Sequence, residues 1–136
     1  MIMLTTEHVW LLHKLVIETS GGEVGVRDSN LLDSAVSGIY QTFDGVDLYL
    51  TKEEKAARLA FNLIKDHAFL DGNKRTGLLA MLSFLTINGV YLKYSDKELV
   101  RLGLSLAEGK MRYEDLLVWV KKHKTHSKQA ETEYMA

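Results

Sequence analysis

Apolar residues recur at intervals of three and four positions along most of this chain, with charged and polar residues between them. This is the period of amphipathic α-helices whose apolar faces pack around a shared core. The pattern predicts six helices, over residues 7–19, 28–39, 51–67, 73–87, 95–109 and 113–124.

Polar residues at several predicted helix starts support these boundaries. Thr6 is placed to cap the first helix. Thr51 with Glu54, and Ser95 with Glu98, have the spacing of a capping box, in which the two side chains satisfy backbone N–H groups of the first turn reciprocally. Between residues 78 and 87 the fourth helix is interrupted only by two polar positions, so we expect it to be buried.

Two segments depart from the helical pattern. Within residues 41–50, Phe43-Asp44-Gly45 is a turn signal between short apolar and aromatic stretches, so this segment is either a small β-hairpin or a connecting loop. Residues 90–94 are at most a short extended connection.

The end of the chain differs in character from the rest. Beyond Lys124 the sequence turns polar and loses its period, so residues 125–136 are predicted to be a frayed or disordered tail. Residues 1–124 are predicted to form one domain. The expected fold class is all-α, a single-domain helical bundle with the apolar helix at its centre and at most a short β-hairpin.

Composition excludes several classes of function. The 136 residues, of which 46% are hydrophobic, suffice for one domain with a core, and there is no membrane-spanning apolar run. Because there is no cysteine and no basic leader followed by an apolar segment, we expect a cytoplasmic protein. The net charge of −1 gives no broad basic surface, so direct binding of nucleic acid is not expected.

A zinc site is not expected either. Apart from His67, the histidines fall at the two ends of the chain, without a tight cluster of ligands. They are His8, His13, His123 and His126.

One short stretch, from His67 to Arg75, concentrates chemically active residues just before the apolar helix. His67 is the best candidate for a general base, because an imidazole can accept a proton from an attacking hydroxyl near neutral pH. Asp71 supplies the hard oxygen ligand that Mg²⁺ takes from a protein when nucleotide phosphates and water complete its shell. This combination suits phosphoryl or nucleotidyl transfer.

The next four residues form a candidate phosphate site. The first turn of a helix presents unpaired N–H groups and the positive end of the helix dipole, which attract an anion. Lys74 and Arg75 add positive charge there, and Gly72 lets the backbone approach a phosphate closely. Asn73 can orient the phosphate or cap the helix. Two cations in a first helical turn oppose the dipole, and a bound anion removes that conflict.

Phe69, Leu70 and Arg27 are predicted to have structural roles. Phe69 and Leu70 are predicted to point into the core and to hold the loop between two helices. Arg27 could reach the site, but a salt bridge at the start of the second helix is the preferred interpretation.

The run His-x-Phe-x-Asp-Gly-Asn-Lys-Arg-Thr, residues 67–76, resembles the core motif of the Fic/Doc family, and specifically its Doc (death-on-curing) toxin branch. The resemblance extends from the first helix through Gly21-Gly22 and the segment 25–28 to about His123. Ala68 replaces a proline that is common in the wider family. In Fic adenylyltransferases the position of Lys74 is typically glycine, which leaves room for AMP transfer, whereas Doc toxins carry this lysine.

The resemblance implies an activity and roles for the motif residues. In Doc toxins ATP binds in the reversed direction, so that its γ-phosphate meets the target hydroxyl. The activity implied by the resemblance is that of a protein kinase. Its implied target is a threonine of a translation elongation factor, whose phosphorylation stops protein synthesis. The implied cofactors are ATP and Mg²⁺. The resemblance implies that His67 is the base and Asp71 the Mg²⁺ ligand. It implies that the segment 41–50 is a flap that positions the backbone of the target. Four further residues are implied to bind phosphate. These are Gly72, Asn73, Lys74 and Arg75.

The resemblance also implies a partner. Self-inhibited relatives carry a Ser/Thr-x-x-x-Glu-Gly/Asn signature, whose glutamate blocks the nucleotide site. In this chain the one Glu followed by Gly or Asn is Glu108, and Leu104 stands four residues before it, so the signature is absent. We therefore expect a cognate antitoxin whose segment binds a groove beside the first helices.

Two other functions remain open at this point. The same fold could transfer AMP, with Lys74 tolerated, or it could be a catalytically silent binding module. The complete set of chemical residues in the motif favours an enzyme.

Overall fold

The helix that contains the apolar run of residues 78–87 lies at the centre of the fold. The computed structural model describes residues 1–126. The order of elements is α1 (Thr6–Ser20), α2 (Ser29–Ser37), a 3-10 turn (Gly38–Tyr40), β1 (Thr42–Phe43), β2 (Val46–Asp47), α3 (Lys52–Asp66), α4 (Asn73–Ile87), β3 (Tyr91–Leu92), α5 (Asp96–Ala107), α6 (Tyr113–Lys122) and β4 (Lys124–Thr125). Helix α4 packs against α1, α3 and α5. The predicted all-α class is confirmed, and no helix among residues 1–126 is long and apolar enough to cross a membrane.

Capping side chains fix where the helices begin. Both predicted capping boxes form: Thr51 Oγ1 accepts from the Glu54 N–H at 3.0 Å, and Ser95 Oγ accepts from the Glu98 N–H at 3.1 Å. Helix α1 begins one residue earlier than predicted, because Thr5 is its cap. His8 Nδ1 accepts from the Thr5 N–H at 3.2 Å, so a histidine closes this box in place of the usual Glu or Gln.

The segment before α3 is a hairpin and not a mere loop. Thr42 pairs with Asp47 and Phe43 with Val46. The two residues between the strands both have positive φ, 54° at Asp44 and 77° at Gly45, as a two-residue hairpin turn of this hand requires. All four strand residues are exposed, so the hairpin stands out from the helical body.

A second small sheet was not predicted. Tyr91 pairs with Thr125 and Leu92 with Lys124, so the ordered domain continues past the predicted boundary at residue 124. The partners are more than thirty residues apart, and no local pattern in the sequence shows such a pairing. The rest of the predicted tail, residues 127–136, lies outside the described residues.

The most extensive helix contact lies between α3 and α4. Ala60 on α3 is fully buried, and α4 carries Gly77 opposite it. A Cβ atom added at Gly77 would lie 2.7 Å from Cγ1 of Ile64 and 3.3 Å from the carbonyl oxygen of Ala60. These small residues bring the end of α3 close to the start of α4, which is where the motif lies.

Replacing Gly77 by alanine is therefore expected to destabilise the protein. The strain of the added methyl group, about 1–3 kcal/mol, exceeds the gain in helix propensity, about 1 kcal/mol. The free energy of unfolding from urea titration measures the difference. Gly38→Ala is the matched control, because its φ is −58° and its Cβ would meet nothing nearer than 3.4 Å. Equal stability of the two variants would contradict this account of the contact.

Candidate active site

A loop of six residues, 67–72, joins α3 to α4 and is called here the motif loop. Two residues in the left-handed region of backbone space bracket it, His67 with φ 49° and ψ 52° and Gly72 with φ 72° and ψ 22°. This backbone conformation is unfavourable for a non-glycine residue, so neighbouring residues must stabilise His67 in it.

The backbone conformation of His67 decides where its side chain points. The spacing of Ala56, Ala60 and Leu63 on α3 would place His67 at the end of the same core-facing stripe, but the structure leaves it exposed. Because the helix ends there in a left-handed turn, the chain leaves the helical path and the side chain leaves the stripe. The imidazole lines a cavity of about 280 Å³ together with Lys65 and Arg112.

Asn73 holds the motif loop closed. Its Oδ1 accepts from the Phe69 N–H at 2.9 Å, and its Nδ2 donates to the Phe69 carbonyl at 3.0 Å. The amide therefore does not cap α4, whose N-cap position Gly72 makes no side-chain hydrogen bond.

A second segment, residues 22–28, braces the loop from outside and is called here the bracing segment. The Leu70 N–H donates to the Gly25 carbonyl at 2.9 Å, and the Arg27 N–H donates to the Ala68 carbonyl at 2.8 Å. Arg27 also donates through Nε to the carbonyl of His67 at 2.6 Å and through Nη2 to that of Asp66 at 2.9 Å. Arg27 thus stabilises the end of α3, and no salt bridge of its side chain is found among residues 1–126.

The Asp71 carboxylate is fixed by main-chain donors. Its Oδ1 accepts from the Gly72 N–H at 2.8 Å and its Oδ2 from the Glu23 N–H at 3.3 Å. A Cβ atom at Gly22 would stand 2.6 Å from Oδ2, so only glycine allows this approach. Among residues 1–126 no cluster of three or more acidic, histidine or cysteine side chains could hold a metal. Asp71 is exposed and offers a single carboxylate, which is the usual protein contribution to a Mg²⁺ bound with nucleotide phosphates.

The start of α4 has the properties of an anion site. Thr76 makes the first hydrogen bond of the helix, to the Gly72 carbonyl, and the N–H groups of residues 73–75 have no acceptor among the described residues. Arg75 is anchored there, because its Nη1 donates to Ser20 Oγ at 2.5 Å and to the Gly21 carbonyl at 3.2 Å. Lys74 and Arg75 line a cavity of about 570 Å³ between α1, α4 and α5.

The site residues therefore divide between two cavities. Lys74 and Arg75 line the larger one and His67 the smaller one, with Asp71 in the loop that connects them in the chain. A reaction that uses both sets of residues therefore involves both cavities.

Phe69 and Leu70, which were both predicted to point into the core, differ in burial. Phe69 is 1% exposed, as predicted, whereas Leu70 is 49% exposed, so that prediction was wrong. The loop is extended here and pairs with the bracing segment, and neighbouring side chains of an extended chain point to opposite sides.

His13 is a residue whose role was not foreseen. It is fully buried and its ring stacks on Phe69 with 3.9 Å between the ring centres. Its Nε2 accepts from the Gly25 N–H at 3.3 Å, so the imidazole is neutral and its Nδ1 carries the proton towards Thr76 Oγ1, 3.2 Å away. His13 thus ties α1 to the bracing segment, the motif loop and α4. One signal of its burial was present in the sequence: His13 lies on the inward face of α1, between Val9 and Val16.

Burial lowers the pKa of the His13 imidazole from its ordinary value; the Asp71 carboxylate raises this pKa and the Arg75 charge lowers it. Since the unfolded chain then binds this proton more readily than the folded one, stability must fall as the pH drops below about 6.5. We expect His13→Asn, although less stable than the wild type at pH 7, to lose less stability on acidification to about pH 5.5. Urea unfolding at the two pH values measures this.

The control for this experiment is His126→Asn, because His126 is exposed. It should keep the dependence of the unfolding free energy on pH that the wild type shows. An unchanged pH dependence in His13→Asn would contradict the neutral, buried state assigned to His13.

Proteins of known family resemble this chain over the elements that build the site. A model described as the Fic/DOC family matches residues 3–85, from α1 into α4. The curated protein "Toxin Doc" of Mycolicibacterium smegmatis (strain ATCC 700084 / mc(2)155) is 51% identical over 72 residues, which are 53% of this chain and 55% of that protein. The chain thus spans about half the length of the curated relative that it matches.

Proposed function

The chain belongs to the Fic/DOC family, and from this premise we propose that it is a Doc-type toxin with protein kinase activity. The proposed reaction transfers the γ-phosphate of ATP to a threonine or serine hydroxyl of a translation elongation factor and so arrests translation. The proposed compartment is the cytoplasm, where that target is found.

The observation that carries this proposal is the open start of α4. The first turn of this helix combines three N–H groups that have no acceptor among residues 1–126, the positive end of the helix dipole, and the two cations Lys74 and Arg75. Their charge and hydrogen-bond donors match a phosphate, whose developing charge in phosphoryl transfer such groups stabilise.

Asp71 and His67 complete the proposed machinery. The Asp71 carboxylate, held by two N–H groups, would hold a Mg²⁺ ion, which would neutralise part of the charge of the nucleotide phosphates. His67 is the proposed base, which accepts the proton of the attacking hydroxyl. Bound ATP supplies the phosphoryl group, and ADP leaves.

Lys74 favours phosphoryl transfer over AMP transfer. It stands where the AMP-transferring relatives typically have glycine. Its stem packs on α5, because a Cβ at Gly103 would lie 3.0 Å from Cγ and Cδ of Lys74. The lysine therefore fills space that glycine leaves to the nucleotide.

Parallel incubation of a bacterial lysate with γ-labelled and α-labelled ATP tests the proposal. We expect a protein band labelled from the γ position only. His67→Ala and Asp71→Asn should reduce labelling by about a hundredfold or more, since a general base contributes at least that much. His126→Ala, an exposed substitution outside the site, is the control and should label as the wild type does.

The other outcomes have defined meanings. Label from the α position would make the protein an AMP transferase. If neither label is transferred to any lysate protein, the protein is a catalytically silent binding module and not a kinase. Labelling that survives in His67→Ala would remove the proposed base.

We further propose that a cognate antitoxin restrains the toxin by binding the larger cavity. Apart from the two cations at one end, most of its lining is apolar, with Val16 from α1, Leu82 from α4 and Val100 from α5. An apolar groove between helices suits the apolar face of a helical segment. Such a segment would cover Lys74 and Arg75 and so exclude a phosphate.

Val100→Asp tests the antitoxin groove. Val100 is 60% exposed, so the substitution leaves the fold intact and places a charge in the groove. We expect cells that produce Val100→Asp together with the cognate antitoxin to stop growing, because antitoxin binding weakens about tenfold or more. The matched control is Val118→Asp on α6, which is 54% exposed and away from the groove. Neutralisation of both variants alike would remove the groove from the proposal.

A further inference from the structure

A second cationic site lies on α3, away from the start of α4. The Arg58 guanidinium is surrounded by three aromatic rings: its Cζ lies 5.4 Å from the ring centre of Tyr49, 5.4 Å from that of Phe61 and 5.1 Å from that of Tyr113. Burial, as the main cause, raises the pKa of Tyr113 to about 12, so this ring is neutral beside the guanidinium. The rings fix the position of Arg58 and provide only their π faces.

Arg58 has no polar partner in the described part of the chain. Its side chain is half-buried, and neither a hydrogen-bond acceptor nor a carboxylate within ion-pair distance is found for it among residues 1–126. A guanidinium has five N–H donors, and leaving them without acceptors costs free energy when the group is partly withdrawn from water. The donors are therefore available to a ligand.

Arg58 lines a pocket beside the hairpin. The pocket has a volume of about 280 Å³ and is polar, with Gln41 and Tyr49 from the two ends of the hairpin segment on one side. Lys65 adds a second cation, and Asp66 contributes the one carboxylate in the lining. Two cations against one carboxylate leave the pocket net positive, so its chemistry suits an anionic group.

The pocket lies beside the cavity that contains His67. Lys65 and Phe61 line both this pocket and the cavity that contains His67, so the two are neighbours on the surface of α3. None of its lining residues belongs to the cavity that Lys74 and Arg75 line. The pocket is thus on the side of the base and separate from the proposed phosphate site.

We propose that the pocket lined by Arg58 and Lys65 binds a carboxylate side chain, glutamate or aspartate, of the protein substrate close to the hydroxyl that is modified. This inference rests on the proposed function, because it assumes that a protein hydroxyl is presented to His67. Arg58 is a specificity residue here and takes no part in the transfer itself. A planar guanidinium held by rings is suited to pair with a carboxylate through two hydrogen bonds.

Peptide binding to the His67→Ala protein tests the pocket without any transfer reaction. The probes are short fluorescent peptides with a central threonine among alanines, in which each flanking position is replaced in turn by Glu or by Gln. At one flanking position at least, we expect the Glu peptide to bind about tenfold more tightly than its Gln partner, as charge-assisted hydrogen bonds predict. Fluorescence anisotropy gives the dissociation constants.

Substitutions show which residues cause the preference for Glu over Gln peptides. Arg58→Met keeps an apolar stem against the three rings and removes the charge, and it should abolish the preference for Glu; Lys65→Met, at an exposed position, should reduce it. Arg101→Met, an exposed cation on α5, is the matched control and should leave it unchanged. Thermal unfolding of each variant verifies the fold, and Lys65→Met decides the test if Arg58→Met is unfolded.

Three results would overturn the proposal. They are equal binding of Glu and Gln peptides at every position, a preference that persists in both Met variants, and a preference that saturating ATP removes, since the pocket would then belong to the nucleotide. A preference for Glu in a protein that fails to label any target would retain the pocket and refute the kinase, so the two proposals fail separately.

Discussion

The close packing of α3 on α4 is the constraint on which the site depends. Ala60 on α3 and Gly77 on α4 bring the two helices together, and six residues reverse the chain between them. This loop has a left-handed residue at each end, His67 and Gly72. The exposed His67 and the uncapped start of α4 both result from that geometry.

Hydrogen bonds from outside the loop hold this conformation. Arg27 binds two carbonyls at the end of α3, and Asn73 binds both polar groups of the Phe69 backbone. His13 connects the bracing segment to α4 and supports Phe69 with its ring. The side chains that keep the loop in shape are thus distinct from those that act in the proposed reaction; Asn73 holds the loop with its side chain and offers only its N–H to a phosphate.

Sequence reasoning succeeded where the signal was local. The capping boxes at Thr51 and Ser95 and the hairpin turn at Asp44-Gly45 involve residues at most three positions apart, so the sequence displays them directly. The family and the motif were evident for the same reason, since residues 67–76 are contiguous. The role of His13 could not be read in this way, because its partners lie 12 and 63 positions away. The pairing of β3 with β4 was missed for the same physical reason.

The start of α4 violates the rules that stabilise a helix, and this violation is the strongest link between structure and chemistry. An Asn or Asp at an N-cap stabilises a helix by about 1 kcal/mol, yet Asn73 directs its amide to Phe69 and Gly72 provides no side chain. Lys74 and Arg75 then place two positive charges at the positive end of the dipole, each unfavourable by about 0.3–1 kcal/mol. Both costs disappear when an anion binds there, since it satisfies the N–H groups and compensates the charges. A helix start that is unfavourable when free and favourable with a phosphate favours the binding of an anion at this place over a purely structural role for Lys74 and Arg75.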